Sequence, residues 1–381
     1  MKQARVHHSR YMKKPPVKQR GAALLIALVI MSIAMGIAVN IMFRQQLHTR
    51  LAVNIGNLEQ IYPYATGLED WARTILNRDA EDSPDTDDLT EPWATEIPPI
   101  PIPGGTMTGR LFDLQAKLNL NNLYPPERPI EEEIDTNTET GNSPTQNGMD
   151  EQSPVSAEEK RIIDDQNRYI IAKLRTETLL KTIDPDETLG PAINFADVVT
   201  DWIDSDSNTT EAGAESDYYQ TLDPPYNTAD SFLVNETELR LLKDIDKDAY
   251  ELLRPHVTML PEYTPVNVNT ASLEVFQALG FTAEAAENII SVRDEDPFQG
   301  MDDFMDLAVV QVATEETEDT PPEVYPQHLS ATTNYFLLQG EVNIGTARLY
   351  INSVMHRNDG KVTVVSRDFS NQQIVEEDTE E

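Results

Sequence analysis

The sequence predicts an α+β protein: a long N-terminal helix packed on a small antiparallel sheet, with a large helical domain inserted into that sheet. Three observations predict it. Gly21 to Phe43 runs 23 residues without a charge and passes directly into an amphipathic helical repeat. Apolar residues alternate at period two over 106–120 and again after 335, on either side of a stretch with helical spacing. Asn358-Asp359-Gly360 is a strong hairpin turn between two of the late strands.

The elements follow in order. Residues 1–58 contain no Asp or Glu, and the first twenty carry Lys2, Arg5, Arg10, Lys13, Lys14, Lys18 and Arg20. A basic leader (1–21) before an apolar run (22–43) fits one membrane-spanning helix, because about 1.5 Å per residue covers the roughly 30 Å hydrocarbon layer. The positive charge places the leader in the cytoplasm and everything after Phe43 on the outer side. A secretory signal peptide would have a shorter apolar core ending in small residues. Residues 44–78 continue the helix, with Leu47, Leu51, Ile55, Leu58, Tyr62, Ala65, Leu68, Ala72 and Ile75 three or four apart and Pro63 as a kink.

Residues 79–105 hold eight acids, six prolines and no base, which predicts an extended connector. Residues 106–124 form the first part of the sheet domain, with Phe112, Leu114, Ala116, Leu118 and Leu120 on one strand face. Residues 127–159 carry ten acids, one Arg and no aromatic residue, too little apolar surface to offset ordering entropy, and predict a disordered linker. The inserted helical domain occupies 160–330, with helices expected at Arg161–Lys181, Phe195–Ile203, Asn235–Leu253, Ser272–Leu279 and Ala283–Arg293. The last strands of the sheet domain lie within 331–375, at Tyr335–Asn343, Ala347–Met355 and Lys361–Phe369. Residues 376–381 are an acidic, frayed tail.

Composition narrows the chemistry. With 66 acidic and 29 basic side chains the formal charge is −37, which opposes nucleic-acid binding and favours cations as partners. The chain has no cysteine, so disulfides, thiolate metal sites and thiol nucleophiles are excluded. No phosphate-binding loop, nucleophile elbow, H-E-x-x-H or organic-cofactor motif is present, and His48, His256, His328 and His356 share no metal-ligand spacing. No catalytic residue is assigned.

Two constellations stand out. From Asp204 to Glu215, oxygen side chains fall at positions 1, 3, 5 and 12 (Asp204, Asp206, Asn208, Glu215), the spacing of a calcium-binding EF-hand loop. Thr209 stands where that loop needs Gly and Glu211 follows at position 8, so a different calcium geometry is expected, with Asp217 as a neighbour; a solvated acidic loop is the alternative. From Val266 to Arg293, and on through Phe298 to Phe304, the sequence resembles a helix-hairpin-helix module. Thr282 replaces its second turn glycine, and Glu284 and Glu287 stand where a DNA binder places bases, which makes the unit a packing element.

The leader ending Arg20-Gly21, followed by Ala22-Ala23-Leu24-Leu25-Ile26, resembles a class III prepilin signal, with Ile26 where most family members carry Glu. Together with Asp201-Trp202-Ile203-Asp204, Gly213-Ala214-Glu215, Tyr218-Tyr219 and the stretch Pro265 to Thr270, the chain resembles the minor pseudopilin K family of type II secretion. The resemblance implies a pseudopilin fold and cleavage between Gly21 and Ala22 by a prepilin peptidase. It also implies an inner-membrane anchor, a periplasmic domain and a calcium-binding insertion. The implied partners are minor pseudopilins I and J and other pseudopilins, at the tip of a pseudopilus that supports protein export. Two readings remain beside it: a single-pass envelope enzyme, and an uncleaved anchored protein of DNA uptake.

Overall fold

The computed structural model describes residues 22–96, 98–126, 157–186, 194–315 and 322–369. The basic leader, most of the predicted linker (127–156) and the acidic tail lie outside them. Helix α1 runs without a break from Ala22 to Asp82, 61 residues or roughly 90 Å, and contains Pro63. Its first part is long and apolar enough to cross a membrane and is not buried by any of the described residues. From Ile61 onward the helix presents Ile61, Ala65, Leu68, Ala72 and Leu76, all fully buried, to the sheet. Ala65, Leu68 and Ala72 of the sequence-predicted stripe are therefore buried as expected, whereas Leu47, Leu51, Ile55 and Tyr62 are exposed. No described part of the chain buries Leu47, Leu51 or Ile55, while Tyr62 packs edge-to-face on Phe369 (5.4 Å).

The chain then forms β1 (Ile100–Ile102), β2 (Gly105–Asp113), β3 (Leu118–Asn119), α2 (Ala157–Ile183), α3 (Phe195–Ile203), α4 (Ser216–Tyr219) and α5 (Lys247–Leu253). It continues through β4 (Val257–Thr258), β5 (Val266–Asn267), α6 (Leu273–Leu279), α7 (Ala283–Glu295), α8 (Met301–Met305) and α9 (Ala308–Thr314). Finally come β6 (Leu329–Ser330), β7 (Tyr335–Ile344), β8 (Ala347–Asn358) and β9 (Lys361–Asp368). The main sheet is antiparallel with strand order β1-β2-β7-β8-β9, so β2 pairs with a strand more than two hundred residues later in the chain. Everything between them is an insertion. The predicted hairpin joins β8 to β9 with positive φ at Asp359 (48°) and Gly360 (70°), as a tight primed turn requires. At Gly340 of β7 a β-carbon would lie 2.8 Å from both Leu68 and Ile351, so this glycine lets α1 approach the sheet closely.

Three expectations are corrected. The predicted connector 79–105 is packed, not extended: Trp93 is buried edge-to-face on Phe336 (5.2 Å), and Asp87 is fully buried. Residues 83–94 are called the strap below. Second, the strand expected over 106–120 ends at Asp113, whose side chain accepts a hydrogen bond from the Gln115 N–H (2.7 Å) and turns the backbone into a short 3-10 turn. Leu118, Leu120 and Leu123 then enter the helical core beside Phe195, Val199 and Phe276, so the insertion begins near Leu114 and not at 160. Third, the helix expected over 235–253 is broken. A capping box of Asn235 and Glu238 starts a 3-10 turn (Glu236–Leu241), Asp244 takes φ 61°, and Asp246 caps α5 afresh.

Among the described residues two large hydrophobic cores result, with a small cluster of Leu114, Leu260 and Tyr335 between them. One lies between α1 and the sheet around Leu68, Phe336, Leu338 and Ile351. The other lies inside the insertion around Phe195, Trp202, Phe276 and Ile289.

A candidate cation site in the inserted domain

Helix α3 is buried along its whole length, with Val198, Val199, Trp202 and Ile203 in the core. Asp197, Asp201 and the capping residue Asp204 fall three or four apart, the spacing that places side chains on one helix face. Glu215 is the residue before α4. Trp202 packs edge-to-face on Tyr219 (5.1 Å), and Tyr219 stacks on Tyr226 (5.2 Å). This aromatic clamp draws α4 against α3, and with it Glu215 against Asp201 and Asp204. Oxygens of these three buried carboxylates lie within 4.8 Å of one another.

The loop is tied down locally. The Thr210 N–H donates to both oxygens of Asp201 (3.1 Å each), the Asp206 N–H to Asp204 (3.3 Å), and the Asn208 N–H to Asp206 (2.7 Å). Lys243 Nζ donates to the carbonyls of Ala212 (3.3 Å) and Gly213 (3.2 Å). Lys173 of α2 pairs with Asp197. Thr209 does not adopt a positive φ, so the backbone is not that of an EF-hand.

The electrostatics are those of carboxylates short of a counter-ion. Burial, reinforced by Asp201, Asp204 and Asp206, pushes Glu215 up to about 7. Burial with the charges of Asp206, Asp201 and Asp230 pushes Asp204 up to about 6, and burial also raises Asp201. Glu215 is 6% exposed, and its Oε1 is buried with no hydrogen-bond partner among the described residues. A buried, unmatched carboxylate oxygen is costly unless something neutralises it. The donor set is all oxygen, so a hard divalent cation fits.

Of the residues predicted from the sequence, the structure brings Asp204 and Glu215 together, and Asp206 is exposed yet close enough for its charge to be felt at both. Asn208 and Asp217 are exposed, and Asp217 lies outside the group of three. The sequence count missed Asp201, because it began at Asp204. The pair Asp201 and Asp204, three apart on one helix, was the available signal. A second acidic group, Asp79, Asp87 and Glu91, differs in that Arg357 pairs with Asp79 and Asp87 and the Trp93 ring N–H donates to Glu91 (2.7 Å), so each carboxylate already has a partner.

The helix-hairpin-helix likeness is realised as α6 and α7 joined through Gly280 (φ 112°), with Thr282 capping α7 through the Ala285 N–H. Glu284 and Glu287 are exposed on α7.

Two family models described as type II secretion system (T2SS), protein K, match residues 116–262 and 266–321. The type II secretion system protein K of Pseudomonas aeruginosa is 29% identical over 360 residues, covering 92% of this chain and 93% of that protein. That of Aeromonas hydrophila is 30% identical over 259 residues, 68% of this chain and 69% of the relative. Among solved structures, the crystal structure of the GspK-GspI-GspJ complex from the enterotoxigenic Escherichia coli type 2 secretion system matches with a TM-score of 0.59 at 20% identity. The match covers 83% of this chain and 97% of the matched one, and at that identity it is a likeness of fold.

Proposed function

Since the chain belongs to the type II secretion system protein K family, we propose that it is the minor pseudopilin at the tip of a pseudopilus, where it starts or caps assembly and supports protein export. Minor pseudopilins I and J are its partners in this reading, together with other pseudopilins below it. Family membership supports this structural role over the envelope-enzyme and DNA-uptake readings.

The observation that carries the proposal is the architecture. A membrane-length apolar helix continues as one rod into the sheet domain, and the bulky insertion sits between β2 and β7 of that sheet. Such bulk obstructs a further subunit stacked above it. Ile26 points the same way. In the pilin family the carboxylate at the fifth mature position pairs with the N-terminal amine of a neighbouring subunit. A subunit without it cannot neutralise that buried charge, so it suits a place where no such neighbour exists. The prepilin peptidase removes residues 1–21 between Gly21 and Ala22. The basic leader keeps this end cytoplasmic, the anchor lies in the inner membrane and the folded domain is periplasmic.

We further propose that Asp201, Asp204 and Glu215 bind Ca²⁺, with Asp206 at the rim, and that the ion locks the insertion. The unpaired Glu215 oxygen and the mutual repulsion of the carboxylates support this reading. The tip assignment is tested by immuno-gold labelling of assembled fibres. Label at one end is the expected result, and label distributed along the shaft refutes it.

A further inference from the structure

The two cores meet across a seam of buried polar groups that centres on Asp87, which is fully buried. Its carboxylate accepts two hydrogen bonds from Nη2 of Arg357 on β8 (2.6 and 2.5 Å) and one from the Thr333 N–H (2.8 Å). Its own N–H donates to the Ala331 carbonyl (2.9 Å), and its carbonyl accepts from Asn267 Nδ2 on β5 (2.9 Å). That same amide donates to Asp113 at the end of β2 (2.9 Å). Next to it, Thr86 donates to the Phe298 carbonyl and accepts from Asn269 Nδ2, both at 2.9 Å. Arg357 reaches Asp79 near the end of α1 as well (3.0 Å). The long helix, the sheet and the insertion are thus all bonded through the strap.

We propose that the strap is a conformational coupler and that Asp87 is the positioning residue that makes the long helix, the sheet and the insertion open as one cooperative body. The physical reason is the contrast between the cores and the seam. Each main core is apolar and has its own cohesion, and only a small apolar cluster of Leu114 and Leu260 against Tyr335, with Leu337 and Val354 beside it, joins them among the described residues, so apolar burial ties their stabilities weakly. The seam is different. Its groups are satisfied only by one another, and parting the two bodies leaves buried donors and acceptors unmatched. Gln115 extends it, accepting from the Asn334 N–H (2.7 Å) and donating to the Pro265 carbonyl (3.1 Å). A further bridge, from Tyr335 to Glu262 (2.6 Å), uses a carboxylate that is more than half exposed and that water can replace at little cost. Coupling of this kind passes any displacement of α1 to the insertion without a hinge between them.

The test is hydrogen exchange read by mass spectrometry on the full-length protein in detergent micelles, for the wild type, Asp87→Asn and Asn267→Ala. In the wild type, the slowest amides of β7 and β8 and those of α3 and α6 are expected to open together, with opening constants within about threefold. In both variants the insertion amides should exchange at least tenfold faster relative to those of the sheet. Loss of stability alone speeds both cores equally and does not give this split. Asn267→Ala leaves Arg357 paired with Asp79 and Asp87, so it decides the matter if Asp87→Asn does not fold. Equal acceleration of the two cores in Asn267→Ala, no change in that variant, or independent opening in the wild type overturns the proposal.

Discussion

The carboxylate of Asp201 occupies the space that a β-carbon on residue 213 would need, so Gly213 is the wall against which the candidate cation site is built. The same β-carbon would also crowd Thr210 Oγ1, whose backbone N–H holds Asp201. Glycine is required here for space, since its φ is not one that other residues avoid. Gly213→Ala should displace Asp201 and weaken Ca²⁺ binding at least tenfold by titration calorimetry. Overpacking should cost about 1–3 kcal/mol of stability. Unchanged affinity would mean that Asp201 is not a ligand.

Removing the ion should loosen the insertion. At a free concentration of about 100 times Kd, linkage adds about 2.7 kcal/mol, or about 5–11 °C in melting temperature for a domain of this size. Scanning calorimetry with EDTA and with millimolar Ca²⁺ measures it. The shift should vanish in Asp201→Asn and Glu215→Gln and persist in Asp217→Asn, because Asp217 is exposed and outside the cluster.

A different pH response is expected where the helix meets the sheet edge. Glu69 of α1 accepts from Arg367 of β9 through both oxygens (2.5 Å each) and from Ser353 (2.6 Å). Burial alone would raise its pKa, but these hydrogen bonds, with the charges of Arg367 and Arg73, outweigh it and hold the carboxyl below the usual range. A carboxyl whose folded pKa lies below its unfolded value stabilises the fold above the unfolded value. That contribution disappears as pH falls through the folded pKa. Glu69→Gln should therefore cost about 1–3 kcal/mol at neutral pH and almost nothing in strong acid. Denaturant titrations across pH check this, and a cost independent of pH would count against it.

Leader removal predicts an intact mass, measured on protein from its own membrane, that lacks residues 1–21. A small residue is needed before the cut bond, so Gly21→Val should retain the leader. Normal processing of that variant would contradict the assignment.

The sequence by itself determined the long apolar N-terminal helix and the presence of an inserted helical block, because each is written in neighbouring residues. A 23-residue uncharged run, a change of period from two to about four and an Asn-Asp-Gly turn need no knowledge of distant partners. The loop from Asp204 to Glu215 was legible for the same reason, since its oxygens recur within twelve positions. Only the tertiary structure decided which of those oxygens converge. It brought Asp201 to Asp204 and Glu215 and left Asp217 outside, because the edge-to-face packing of Trp202 on Tyr219 sets how α3 meets α4. It also turned an acidic, proline-rich stretch into a buried strap. Asp87 and Arg357 are 270 residues apart, and neither composition nor periodicity records that a guanidinium on β8 will neutralise it. Charge that looks solvated in a local window is buried once folding supplies its counter-charge from elsewhere in the chain.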